Sequence, residues 1–178
     1  MVLFASFSIG LRAQRNPARG DGAFKKWLNE DVAYIITHEE RDEFLQLGTD
    51  RQRREFVEQF WLRRNPTPDT AENKYKEEHY RRLAYANAHF ASQIPGWKTD
   101  RGRIYIMDGP PDEIETHPGG AGKPGSELWR YRYVEGIGVN LTFGFTDRNG
   151  SGDYLLTSEP PPGRWTEALP RRQPTSSP

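Results

Sequence analysis

The chain has 178 residues, with 25 basic and 25 acidic side chains and no cysteine. That length holds one domain with a real core and leaves hardly room for two. Balanced charge removes the electrostatic basis for binding nucleic acid or an anionic membrane, and the lack of cysteine excludes disulfides, thiolate catalysis and cysteine-ligated zinc or iron–sulfur centres.

The chain opens on "MVLFASFSIGL", an apolar run as long as a signal-peptide core and too short to span a bilayer as a helix. "LRA" before Gln14 offers a cleavage site after Ala13, so residues 1–13 read as a signal peptide, with no transmembrane helix expected in the mature chain. Residues 14–22 are polar and contain Gly and Pro, as a linker does, and the folded domain is expected over 23–157. It opens with a short helical or irregular piece around Trp27 and continues into "VAYII", a strand or an extended tether.

Thr37 stands three residues before Glu40, the spacing of a capping box, and predicts a helix over about 38–47 that stops at Gly48. Thr49 or Asp50 caps the next helix, where Phe56, Val57, Phe60 and Trp61 share one face that must be buried. Pro66 and Pro68 end it, and Asp69 or Thr70 starts the longest helix, over about 71–92, with Tyr75, Tyr80, Leu83, Ala84, Asn87 and Phe90 near one stripe.

The stretch "GWKTDRGRIYIMDGPPDEI", residues 96–114, then reads as a joint between helices and sheet. Gly96 suits a chain reversal, Trp97 covers the junction, and Thr99 or Asp100 bonds back to nearby main-chain N–H groups. "RIYIM" predicts a strand ended by Gly109, and Pro111 followed by Asp112 and Glu113 predicts a short helical turn. "ELWRYRY" places Trp129, Tyr131 and Tyr133 on one face, and "NLTFGFT" does the same for Leu141, Phe143 and Phe145. With "DYLLT" these predict an α+β fold in which an N-terminal three-helix region packs on one face of a C-terminal four-stranded antiparallel meander. Residues 158–178 are Pro-rich and read as a disordered tail; they and the Gly-rich loop 116–126 are expected at one end of the meander, where a partner is met.

The motif "GWKTDRGRIYIMDGPPDEI", with "QFWLRRNPTPDTAENKYKEEHYRRLAYANAHF" before it and "WRYRY" after it, resembles the GWxTD domain family of bacterial, often exported, proteins. The eponymous residues fall on Gly96, Trp97, Thr99 and Asp100, and Gly109, Pro110 and Pro111 complete the motif. The resemblance implies no established activity. Over residues 109–157 the order "GPP", "LWRYRY", "LTFGF" is also similar to a small lipoprotein of the outer-membrane β-barrel assembly machinery, which implies a noncatalytic envelope role.

Candidate chemistry is sparse. "GGAGKPGS" fails as a phosphate loop, because His117 stands where its first glycine belongs, Pro124 replaces Ser/Thr and a strand follows. "HEERD" has Asp42 where a zinc protease needs its second histidine. Asp147, Asn149 and Ser151 alternate oxygen ligands like the first half of a calcium loop, but Ser158 stands at position twelve, and an Asn-Gly hairpin turn fits better. Asp100, Asp112 and His117 suffice for acid/base hydrolysis only if they converge, and each has a turn, cap or loop role available. The expectation is therefore a noncatalytic, cofactor-free binding or scaffold module of the cell envelope with a protein partner; a periplasmic hydrolase using those three residues is the alternative.

Overall fold

The computed structural model describes residues 17–120 and 122–158. The expected signal peptide, the first part of the linker and the tail beyond Ser158 lie outside the described residues. A helix, α1 (Pro17–Lys26), begins inside the segment expected as linker. Pro17 is its first residue, where a missing N–H costs nothing. A π-helical turn, Trp27–Asp31, carries the chain on, and "VAYII" proves to be neither strand nor tether. It is a tight turn in which the N–H groups of Ile35 and Ile36 both donate to Val32 O, at 3.0 Å each.

Helix α2 (His38–Gln46) starts at the expected box: Thr37 Oγ1 accepts from Glu40 N at 3.2 Å and Glu40 Oε2 from Thr37 N at 3.1 Å. Helix α3 (Asp50–Leu62) uses the same device with Thr49 and Gln52. Glu40 also takes Arg64 at 2.6 Å and Arg63 at 3.0 Å, fastening the start of α2 to the end of α3. Trp27, Leu28, Val32, Phe44, Phe56, Phe60 and Trp61 close a first core from these elements. Burying each such side chain contributes on the order of 2 kcal/mol.

The longest helix, α4 (Lys74–His89), starts later than residue 71 and ends before 92. Asn73, rather than Asp69 or Thr70, caps it, because the Asn73 carboxamide accepts from Lys76 N and also donates to Trp61 O. The Thr70 hydroxyl is spent within its own loop, on Thr67 O and Glu72 O. Leu83, Ala86 and Phe90 belong to the second core, whereas Ala84 and Tyr75 of the expected stripe are exposed. Tyr80 packs against both cores, so α4 is the wall they share.

The largest correction concerns "RIYIM", which forms helix α5 (Asp100–Asp108) rather than a strand. Gly102 through Ile106 are all buried, Ile104, Tyr105 and Ile106 in the second core, so the segment shows no burial period to separate strand from helix. The strand lies further on: β1 (Glu113–His117) replaces the helical turn expected after Pro111. With β2 (Gly125–Val134), β3 (Gly138–Asp147) and β4 (Leu155–Ser158) it makes an antiparallel sheet in the order β1-β2-β3-β4.

The fold is therefore the expected α+β meander, with helices on the face bearing Trp129, Tyr131, Leu141, Phe143 and Phe145. Tyr133 departs from that face's burial. It pairs with Val139, and both are 64% exposed, whereas the next residue, Val134, is buried in the second core. The Gly-rich loop and the turn between β3 and β4 do share one end of the sheet. But β4 runs back from that end, with Leu155 beside Thr146 and Ser158 beside Gly144, so the chain leaves β4 away from the Gly-rich loop.

Candidate functional site

The "GWKTD" segment is built as a close-packed corner. A single 3₁₀ turn, Gly96–Lys98, leads into α5, and Thr99 serves both. Its hydroxyl donates to Gly96 O at 2.8 Å and accepts from Gly102 N at 3.0 Å, and Thr99 is 1% exposed. A Cβ on Gly96 would lie 1.9 Å from Ala86 O of α4, and a Cβ on Gly102 would lie 1.9 Å from Gly96 O. Three backbones are thus stacked at glycine distance. Trp97 is held through its main chain, its N–H donating to Asn87 Oδ1 and its carbonyl accepting from the Tyr34 hydroxyl, while the buried indole meets the Tyr34 ring edge-on.

Asp100 and Arg101 carry this corner to the sheet. Asp100 Oδ2 accepts from Leu156 N of β4 at 2.8 Å. Arg101 donates to Glu127 Oε1 on β2 and to Gly152 O, and its guanidinium lies 4.0 Å over the Tyr154 ring. Glu127 Oε2 in turn accepts from the Trp129 indole N–H at 2.9 Å. At the other end of α5, Gly109 has φ +84°, and its carbonyl accepts from the Tyr131 hydroxyl, whose acidity burial suppresses strongly. Pro110 and Pro111 then release the chain from helix into β1. Gly102, Arg101, Glu127 and Asn87 were not singled out as site residues in the sequence. Only Gly102, three residues after Thr99, carried a usable signal, since a hydroxyl and a small residue at that spacing mark a cap.

The acid/base candidates do not meet. Asp112 is engaged by Arg132, whose main-chain N–H and guanidinium both donate at 2.7 Å and lower its pKa, the main-chain bond most. His117 lies 3.0 Å from Glu115 and is exposed. Asp112 immediately precedes β1 and His117 ends it, which puts them about 16 Å apart along extended chain. Asp100 is bonded to β4, at the far edge of the sheet, about 14 Å from β1 across three strand spacings.

The Asp147 carboxylate accepts from Ser151 N at 3.0 Å and Gly152 N at 2.8 Å, the bonds expected of the hairpin turn. Burial pushes its pKa up, and the main-chain donors of Gly152, Ser151, Asn149 and Gly150 outweigh that and hold it low. Asn149 and Ser151 shape the hairpin turn around it. No group of three His, Asp or Glu side chains among the described residues could hold a metal ion.

These contacts define an α+β domain whose signature is a glycine-stacked joint between two helices and the last strand. The GWxTD domain model matches residues 14–160, most of the chain, and the chain belongs to that family. No curated protein and no solved structure matches it. No helix among the described residues is long and apolar enough to cross a membrane.

Proposed function

We propose that the chain is an exported, noncatalytic binding or scaffold module of the bacterial cell envelope. The observation that carries this is the separation of Asp100, Asp112 and His117, each held by a different internal partner. The motif residues Gly96, Trp97, Thr99 and Asp100 are likewise engaged in packing, a cap and a bond to β4. The apolar leader-like run at residues 1–11 is the basis for export. A protein partner is met at the β2–β3 hairpin end, where Tyr133 and Val139 extend the core face of the sheet into solvent.

The test is affinity capture from bacterial envelope extracts with the full chain and with a Tyr133→Ser/Val139→Thr variant. A partner recovered by the first and lost by the second, at unchanged melting temperature, supports the proposal. Equal recovery by both moves the contact elsewhere, and hydrolysis of a peptide or ester panel that Asp100→Asn abolishes overturns the noncatalytic assignment.

A further inference from the structure

Tyr133 and Val139 are the most exposed large apolar side chains among the described residues, and they are cross-strand neighbours rather than scattered single residues. They stand at the β2–β3 hairpin end of the face that also carries Trp129, Tyr131, Leu141 and Phe143. The direction of the last strand leads to this corner. β4 runs antiparallel to β3 and stops with Ser158 beside Gly144, so it points along β3 toward Val139. The edge of β3 is open on that path, since β4 pairs with Gly144, Phe145 and Thr146 only, whereas β2 pairs with β3 as far as Gly138. Pro160, Pro161 and Pro162 have no N–H to donate and cannot continue the ladder, which fits a strand that stops at Ser158 while its direction still follows the open edge.

The lengths agree. Val139 lies about 17 Å from Gly144 along β3, and with one strand spacing to β3 and a second to β2 the pair stands roughly 18–20 Å from Ser158. The segment Glu159–Trp165 covers about 22 Å at the polyproline rise of roughly 3.1 Å per residue. Trp165 is the first apolar side chain after the prolines, and beyond Ser158 only Leu169 accompanies it as a large one. Gly163, between the prolines and Trp165, lets the chain turn from the edge onto the face.

We propose that Trp165 docks on Tyr133 and Val139, so that this corner of the sheet is covered by the chain's own segment after β4. An indole laid across a tyrosine ring and a β-branched side chain is a favourable pairing on a sheet surface, and the tether holds it at a local concentration on the order of millimolar. One consequence rests on the partner reading given above: partner and Trp165 compete for a single surface, and the segment after β4 sets how readily the partner is bound.

Trp27, Trp61, Trp97 and Trp129 are buried, so Trp165 is the one tryptophan of the five whose accessibility depends on docking. Acrylamide quenching of the full chain, with the signal of a Trp165→Phe variant subtracted, reads that residue alone. Protection of the Trp165 signal relative to the same signal in urea is expected, and Tyr133→Ser/Val139→Thr should raise the ratio of free to docked Trp165 by about tenfold at unchanged melting temperature. In the ¹⁵N-labelled full chain, Trp165→Ala should shift the amides around Tyr133 and Val139. Quenching as ready in the native chain as in urea overturns the proposal. So does protection that the double variant leaves intact, amide shifts that map elsewhere, or protection that grows with protein concentration, which would assign the surface to a second copy. Envelope capture separates the two readings. Protected Trp165 with no partner recovered removes the partner reading alone, and a partner lost with the double variant beside a freely quenched Trp165 removes the docking alone.

Discussion

Replacing Gly96 with alanine tests the stacked corner directly. The new methyl carbon would stand 1.9 Å from Ala86 O and 2.6 Å from Ala86 C, both backbone atoms in the last turn of α4. No side chain can swing aside, so α4 and the 3₁₀ turn must part by more than an ångström. That gap propagates, because α5 follows directly and Ile104, Tyr105 and Ile106 fill the core beside Leu83 and Phe90. Overpacking of this kind costs about 3 kcal/mol or more, which in a domain of this size lowers the melting temperature by roughly 6–12 °C. Gly48→Ala is the control, since nothing lies within 4 Å of a Cβ there. Gly102→Ala meets Gly96 O at the same 1.9 Å, so the double variant Gly96→Ala/Gly102→Ala should fall short of the sum of the singles, one displacement relieving both clashes. Thermal and urea unfolding followed by circular dichroism reads all four variants. A Gly96→Ala protein melting within about 1 °C of wild type would refute the close approach.

Trp97→Ala should cost about 3–5 kcal/mol in urea unfolding, as truncation of a buried aromatic does, and unchanged stability would refute its role at the joint. Asp100→Asn keeps an acceptor for Leu156 N and should cost less than about 1 kcal/mol, whereas Asp100→Ala strands that N–H and should cost about 1–3; equal losses would show that the bond does not matter. Burial raises the Glu40 pKa, but its bonds to Arg64, Thr37 and Arg63 outweigh this and hold it below the ordinary 4.5. Its folded carboxyl therefore binds a proton less readily than the unfolded one, and its contribution is complete above pH 4.5 and lost as pH falls below it; Glu40→Gln should flatten that acid limb of the stability curve. His79 is held neutral by burial, below its ordinary 6.5, so stability should decline as pH falls through 6.5, an earlier phase that His79→Gln should remove.

The parts of the fold legible in sequence were those where a side chain's role is local. Thr37 with Glu40 announced α2, and the pair Thr49 or Asp50 announced α3, because a cap is made within three residues. The alternation of Trp129 with Tyr131, and of Leu141 with Phe143 and Phe145, announced β2 and β3 because one face is buried and the other wet. Helix α5 failed that test, since α4 covers one side and the sheet another, and burial all round erases the period. Strand β1 failed for the opposite reason: Glu113, Ile114, Thr116 and His117 are exposed, and its identity comes from register with Ser126–Arg130 rather than from its own pattern. At the site, the motif's structural role was readable from turn chemistry. Its connection to Glu127, Gly152 and Leu156 was not, because those partners lie 26 to 56 residues away.

That long reach sets an order of events during synthesis. Asp100 leaves the ribosome 56 residues before Leu156, a delay of several seconds at roughly 10 residues per second. Through that interval the apolar face of α5 has α4 on one side and no sheet on the other, and Arg101 has neither Glu127 nor Gly152 to hold. The nascent chain thus carries a half-built interior until its last strand arrives. The family's signature residues are spent on a latch that closes only then, so the domain's last-made contact is also the one its motif exists to make.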